Sequence, residues 1–315
     1  MTFAAPLLLG EARLRDCLPM AKAIQAIEEC LACGLDPERE IERTITQLPA
    51  GQLLFMPAAG PTYAGAKLVG VAPGNAALGL ARIHGVYVLL DGRSLAPIAL
   101  LDGAALTALR TPAVSAVAVD RLAVPQAETV VVFGTGPQAR GHLEAVRSVR
   151  SIRQVGIVGR SVPRVEKLVE ECRREDLEAS AVSPDAVRTA DIVVCATSAK
   201  EPLFSGRAVP EHSLVVAVGS HEPNASEVDP DLVERATVVV ESRSAALREA
   251  GDILMAIRAG RVSDDCIVGS LADLVRGRVV VDPGRPRLFK SVGMAWEDLA
   301  VAAAAFDAWR ARGLR

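Results

Sequence analysis

Two cations stand where the sequence is otherwise apolar. Lys67 interrupts the stretch AKLVGV, and Arg110 interrupts LTALRTPAVSAVA. A charge in such surroundings needs an opposite charge or an anionic ligand, because desolvating it alone is costly. Arg110 therefore predicts a partner or a bound anion. Lys67, taken alone, reads as an edge or surface residue more often than a functional one. Arg43, in IERTITQLP, is plain by itself. Together these cations suit a carboxylate, which arginine can grip through two parallel hydrogen bonds. His221 offers a different chemistry. It follows the apolar run LVVAV and Gly219, at the end of a strand of the kind where ligands bind in parallel sheets. An imidazole there can give or take a proton near neutral pH. His84, His142 and His212 read as loop histidines without a task. Asn224, Glu227 and Asp229 read as turn and cap residues.

A second feature is a glycine turn. Residues 128–146 read ETVVVFGTGPQARGHLEAV. Val130 to Phe133 form a short apolar run rich in β-branched residues, the signature of a buried parallel strand. Gly134, Thr135, Gly136, Gln138 and Ala139 follow at once, and Ala139, Leu143 and Val146 then recur at helical spacing. Strand, glycine turn and helix together form the context for binding a dinucleotide. Gly134 allows the sharp turn, Gly136 allows close approach of a pyrophosphate, and Ala139 lets helix and strand pack tightly. The helix N-terminus turns N–H groups and a positive dipole end toward phosphate. The next strand ends Val158-Gly159-Arg160-Ser161 with no acid for the ribose hydroxyls of NAD. Arg160 and Ser161 instead suit a 2′-phosphate, so NADPH is favoured over NADH.

Other elements must position these residues. A chain of 315 residues has length for about two domains. Half of it is hydrophobic but only 3% aromatic, so the cores are built from Ala, Val and Leu. Residues 11–35 read as one amphipathic helix stopped by Gly34. Strands are expected at 53–56 (ending at Pro57), 66–71, 86–90 and 96–101, the last two joined as a hairpin at Asp91-Gly92. A helix follows over 103–122. From 128 to about 290 the pattern becomes repeated βα units, with strands at 154–158, 191–195, 214–218 and 237–240, which argues for a doubly wound parallel sheet. Residues 295–310 are an Ala-rich helix. The expected division is a substrate-binding and dimerisation domain from 1–120 and 291–315, and a dinucleotide-binding domain from 121–290. A net charge of −3 without long runs of one sign argues against a nucleic-acid partner. Six cysteines without zinc-like clustering read as free thiols in a reducing cytoplasm. Glu11, Arg13, Arg15 and Asp16 interrupt any signal-peptide core, and no apolar run is long enough to span a membrane.

The ordered set LLFMPA (53–58), KLVGVAPGN (67–75), LTALRTPAVSAVA (106–118), VFGTGPQARGHLEA (132–145), ADIVVCATSAKEPLF (190–204), VGSHEPNASEVD (218–229) and KSVGMAWEDLA (290–300) resembles the ornithine cyclodeaminase/μ-crystallin family over nearly the whole chain. The resemblance implies a homodimer of Rossmann-type α/β chains, each with an α+β substrate domain completed by the C-terminal helix. It implies that Arg43, Lys67 and Arg110 hold the carboxylate of an amino or imino acid, with Asn75 beside them. It also implies that Thr197 and Ser291 join the glycine turn around NADPH or NADH. The motifs depart from the ornithine-deaminating members at two positions. Where those members carry an aspartate this chain has His221, and where they carry a glutamate two residues before the Met-Pro pair it has Leu54. Both acids that would engage a second amino group are gone. The resemblance is therefore nearer the ketimine reductases, which reduce Δ1-pyrroline-2-carboxylate and Δ1-piperideine-2-carboxylate to L-proline and L-pipecolate. An ornithine cyclodeaminase, an alanine-type dehydrogenase and a non-catalytic NADPH-binding protein are the alternatives. His221 or Lys67 would handle the proton.

Overall fold

The computed structural model describes residues 5–313. The chain divides into two compact units. One takes the chain up to Cys30, Arg39–Arg110 and the stretch from Met294; the other takes Leu31–Glu38 and Thr111–Gly293. The division falls at Arg110, inside a single helix.

The first unit is built on six strands: β1 (Leu7–Leu9), β2 (Thr44–Leu48), β3 (Gly51–Ala59), β4 (Tyr63–Val71), β5 (Ile83–Asp91) and β6 (Pro97–Asp102). Their order is β1-β6-β5-β4-β3-β2, antiparallel throughout except that β1 runs parallel to β6. Alternation along the strands puts Leu54, Met56, Lys67, Val69, Tyr87, Leu89, Ala99 and Leu101 on one buried face. Helices α1 (Glu11–Cys17) and α2 (Met20–Ala32) come early in the chain. The expected single helix over 11–35 is broken between them at Leu18-Pro19, since proline supplies no N–H to continue the ladder. β3 also runs on through Pro57, where the sequence suggested an end. β2 pairs only as far as Phe55, so at Pro57 the strand has a neighbour on the β4 side alone, an edge position that tolerates proline.

The second unit contains β7 (Thr129–Phe133), β8 (Gln154–Val158), β9 (Glu178–Ala181), β10 (Ile192–Cys195), β11 (Leu214–Ala217), β12 (Thr237–Val240), β13 (Ile267–Ser270) and β14 (Arg287–Lys290). They form one parallel sheet in the order β13-β12-β14-β11-β10-β7-β8-β9. β10, β11 and β12 read IVVC, LVVA and TVVV and are buried along their whole length, as central parallel strands must be. The chain proceeds from β7 to β8 and β9 on one side, then returns to β10 on the other. This is the doubly wound pattern, and its switch point lies between β7 and β10. α3 (Gly103–Leu122) leads into the sheet. α4 (Pro137–Arg147), α5 (Val162–Arg173), α6 (Pro230–Arg235), α7 (Arg243–Glu249), α8 (Gly251–Arg258) and α9 (Leu271–Val275) connect its strands. α10 (Ala295–Ala311) belongs to the first unit, where it packs on β3, β4 and β5. β14 escaped the sequence reading because RLFK begins and ends with a charge, yet it lies between β11 and β12.

Candidate active site

Lys67 is only 2% exposed, so the surface reading is corrected. β4 is an internal strand, and its register sets Lys67 in a cross-strand row with Met56, Tyr87 and Leu101, all buried. The ammonium lies 2.6 Å from Asp298 Oδ2 and donates to Thr107 Oγ1 at 3.2 Å. Arg110 is one turn beyond Thr107 on α3. It donates through Nη1 to Glu297, and its Nε is 3.4 Å from Asp298 Oδ1. The partner that the sequence demanded for Arg110 is therefore a pair of acids. Glu297 and Asp298 are fully buried in the first turn of α10, where the helix dipole favours negative charge. Glu40 accepts the Trp296 N–H at 2.6 Å and so fixes that turn. Sequence reasoning missed both acids, although two adjacent carboxylates in an Ala-rich helix were the available signal.

This cluster has two positive and two negative side chains. Burial drives the Lys67 pKa down to about 8, with Asp298 opposing and Arg110 assisting the fall. An ammonium has three protons to donate. Asp298 and Thr107 take up two of them, which leaves one for a ligand. Tyr87, beside Lys67 in the row, has a buried hydroxyl with no hydrogen-bond partner among the described residues, and burial pushes its pKa up strongly. Arg43 is half-buried one residue before β2, where the register would continue the row through Met56 to Lys67. Asn75 lies in a 3-10 turn and donates to the Ala81 carbonyl at 2.8 Å, so its amide shapes that turn.

In the second unit the glycine turn has the form that the motif requires. Gly134 has φ +119°, and a Cβ there would meet the Ala196 carbonyl oxygen at 2.5 Å. Gly136 is the N-cap of α4, with no side chain capping the helix, and a Cβ at Gly136 would meet nothing within 4 Å. The helix N-terminus therefore opens on free space, which fits a pyrophosphate. Ala139 is buried at the strand–helix contact, and Thr135 and Gln138 are half-buried around the turn. Arg160 is exposed just past β8 and makes no ion pair among the described residues. Ser161 caps α5 without a side-chain bond, so its hydroxyl and the helix end are open to a phosphate. His221 is half-buried in the loop after β11. Thr197 follows β10, and Ser291 follows β14 with its hydroxyl donated to Glu241 at 2.5 Å.

Two histidine and acid readings change. His142 is fully buried in α4 rather than in a loop; it bonds the Gln138 carbonyl through Nδ1 at 2.7 Å and Ser115 Oγ through Nε2 at 2.9 Å. Donation to a carbonyl places a proton on Nδ1, and burial lowers the pKa to about 4, so near neutral pH the ring is uncharged and Nε2 accepts from Ser115. Asp229 does cap α6 through the Leu232 N–H. Glu227 caps nothing. It is buried and accepts the Thr197 N–H, the Thr197 hydroxyl and the Gly219 N–H.

A doubly wound sheet with an uncapped glycine turn at its switch point defines the dinucleotide-binding α/β class. The chain belongs to the ornithine cyclodeaminase/mu-crystallin family, whose sequence profile matches residues 11–313. It is 34% identical over 307 residues to a Delta(1)-pyrroline-2-carboxylate reductase of Bacillus cereus, covering 94% of this chain and 93% of that one. Among solved structures it matches the Thermococcus litoralis Delta(1)-pyrroline-2-carboxylate reductase in complex with NADH and L-proline, with TM-score 0.92, 29% identity and 98% of each chain covered. It also matches an archaeal alanine dehydrogenase dimer with bound NAD, with TM-score 0.92, 25% identity, and 98% of this chain and 97% of that one covered.

Proposed function

We propose that this chain is an NAD(P)H-dependent reductase of small cyclic imino acids, converting Δ1-pyrroline-2-carboxylate to L-proline and taking Δ1-piperideine-2-carboxylate as a second substrate. The observation that carries the reading is the buried cation pair Lys67–Arg110, held in place by Asp298 and Glu297. Buried cations kept charged by buried acids form a preorganised clamp for a carboxylate, and the unassigned Lys67 proton gives it a donor. Arg43 is the third cation of that clamp.

A dinucleotide held at the glycine turn would supply the hydride for the imine carbon next to the carboxylate. The chain's own residues do the rest. Lys67 and Arg110 orient the carboxylate and so decide which face of the ring is presented. His221 or Lys67 keeps the imine nitrogen protonated, which makes its carbon the better electrophile. Gly134, Thr135, Gly136, Gln138 and Ala139 cradle the pyrophosphate. Arg160 and Ser161 would meet the 2′-phosphate of NADPH, which NADH lacks, so both nicotinamide cofactors belong in the assay.

The proposal includes a homodimer. The sheet face opposite Lys67 carries Phe55, Leu68 and Leu8 at 47%, 42% and 63% exposure. Phe55 and Leu68 are cross-strand partners, exposed apolar residues grouped on one face mark an interaction surface, and a second copy of this chain is the partner proposed. A cytoplasmic location is also proposed, supported by six cysteines that form no disulfide among the described residues. No helix among the described residues is long and apolar enough to cross a membrane.

The deciding experiment follows NADPH and NADH oxidation by absorbance with each imino acid, and identifies the product by chiral chromatography. Stoichiometric L-proline is expected. Ammonia release from ornithine, or oxidation of NADH with pyruvate and ammonia only, would transfer the chain to a cyclodeaminase or alanine-dehydrogenase reading. Tight cofactor retention with none of these reactions would make it a binding protein.

A further inference from the structure

The C-terminal edge of the parallel sheet is divided in two by its internal carboxylates. After β7 and β8, the Gly134–Gly136 turn and Arg160 carry no acid on them. After β10, β11, β14 and β12, buried acids take up the loop donors. Glu241 accepts the Ser291 hydroxyl and the N–H groups of Val292 and Gly293. Asp252 accepts the N–H groups of Glu227 and Val228 and pairs with Lys290 at 2.8 Å, and Lys290 donates to the Ser220 carbonyl at 2.7 Å.

Glu227 is the link that joins two loops. Its Oε1 takes the Thr197 N–H at 2.8 Å and hydroxyl at 2.7 Å, and its Oε2 takes the Gly219 N–H at 2.7 Å. The loop after β10 and the loop that leads to His221 are thus tied to one carboxylate. The fit is close: a Cβ on Gly219 would stand 2.4 Å from Glu227 Oε1. A carboxylate accepts on both oxygens and donates nothing, and three donors converge here, so no neutral isostere satisfies them all. Burial raises the Glu227 pKa, while Lys290 and the Thr197 bonds lower it.

We propose that Glu227 is a positioning residue that sets the spacing of the Thr197 and Gly219–His221 loops, and through them the seat of the nicotinamide half of the cofactor. This rests on the dinucleotide reading above. In Glu227→Gln the amide must turn its NH2 group toward either the Gly219 N–H or the Thr197 N–H, and that loop moves away. The adenosine half, held by the glycine turn and β8, is untouched.

The test compares NADH with ADP, which lacks the nicotinamide half, by titration calorimetry on the whole chain. In Glu227→Gln, NADH should bind about tenfold more weakly, as for one lost buried hydrogen bond, with ADP unchanged and kcat lowered. Leu274→Ala, a core truncation in α9, supplies a control of reduced stability in which the NADH-to-ADP affinity ratio stays at the wild-type value. Equal weakening of NADH and ADP in Glu227→Gln, or no change in either, overturns the inference. Should Glu227→Gln fail to fold, Thr197→Val removes one of the same bonds and is read by the same ratio. Wild-type protein that binds both nucleotides but reduces no imino acid would overturn the substrate reading and leave the Glu227 ratio to be judged alone. Wild-type protein that binds neither would end both.

Discussion

Lys67 Nζ lies 2.6 Å from Asp298 Oδ2 with both side chains buried, and this contact joins an internal strand to the first turn of the last helix. Its ionisation has a consequence for activity. The Lys67 pKa of about 8 is below the ordinary 10.5, so the ammonium is present below pH 8 and is shed above it. If it binds the substrate carboxylate, KM for the imino acid rises by about tenfold per pH unit above that point. Lys67→Arg should lack this limb, because arginine keeps its charge. Asp298→Asn leaves the ammonium buried without its counter-charge. That change should cost about 3–5 kcal/mol in urea unfolding and move the KM limb to lower pH.

Tyr87→Phe separates two roles of the row beside Lys67. The Tyr87 hydroxyl is buried without a protein partner among the described residues. Removing a polar group that no protein atom satisfies should leave stability unchanged or raise it by about 1 kcal/mol. If the hydroxyl instead meets the substrate, KM for the imino acid rises while the melting temperature holds or increases. A fall in melting temperature would show that the hydroxyl has a structural partner.

His142 gives the fold an acid sensitivity. Burial lowers its pKa to about 4 from the ordinary 6.5. Between these values the unfolded chain takes up a proton that the native chain refuses. The contribution to stability is therefore complete above about pH 6.5, declines as pH falls toward 4, and changes no further below that. The difference corresponds to about 3 kcal/mol. Urea unfolding at pH 7 and pH 4.5 should show most of this loss in the wild type and much less of it in His142→Gln.

The legible parts of the sequence were those where one residue type has one physical use. Val130–Phe133 with Gly134 and Gly136 gave strand, turn and helix correctly, because positive φ and close approach restrict the choice to glycine. Arg110 was legible as a charge in need of a partner. The partner was not, since Glu297 and Asp298 are distant in sequence and first-turn acids are common on solvent-exposed helices. The burial of Lys67 is not legible from its own stretch, because it depends on which strand is internal, and β2, with all five residues exposed, carries no alternating pattern to announce it. Glu227 reads as a turn residue for the same reason: its donors, Thr197 and Gly219, come from loops that only the sheet order brings together. β14 lacked an apolar run because RLFK carries a charge at each end, Lys290 being paired with Asp252 inside the unit and Arg287 donating to the Glu211 carbonyl.

Substitutions at the two turn glycines should behave oppositely. A side chain at Gly134 meets backbone at a φ that L-residues rarely adopt, so Gly134→Val should destabilise the free protein by about 2 kcal/mol or more. Gly136 has ordinary φ and open space, so Gly136→Val should leave the melting temperature of the free protein within a degree or two while removing the room a pyrophosphate needs. Thermal melts with and without NADH check both: Gly134→Val should melt early without ligand, whereas Gly136→Val should melt like the wild type and gain nothing from NADH.

Arg160 decides between the two cofactors. It is exposed at the end of β8 and makes no ion pair among the described residues, so its loss removes no contact that supports the fold. Arg160→Ala should therefore change unfolding free energy by no more than about 0.5 kcal/mol. A charge-assisted bond to a phosphate contributes about 1.5–3 kcal/mol, so loss of a 2′-phosphate contact would weaken NADPH by about tenfold to a hundredfold. NADH has no 2′-phosphate, and its affinity should be unaffected or slightly improved. Calorimetric titration of the variant with both cofactors gives the answer directly. A parallel loss for NADPH and NADH would place Arg160 on the shared pyrophosphate or ribose, and no loss for either would leave it a solvated surface charge.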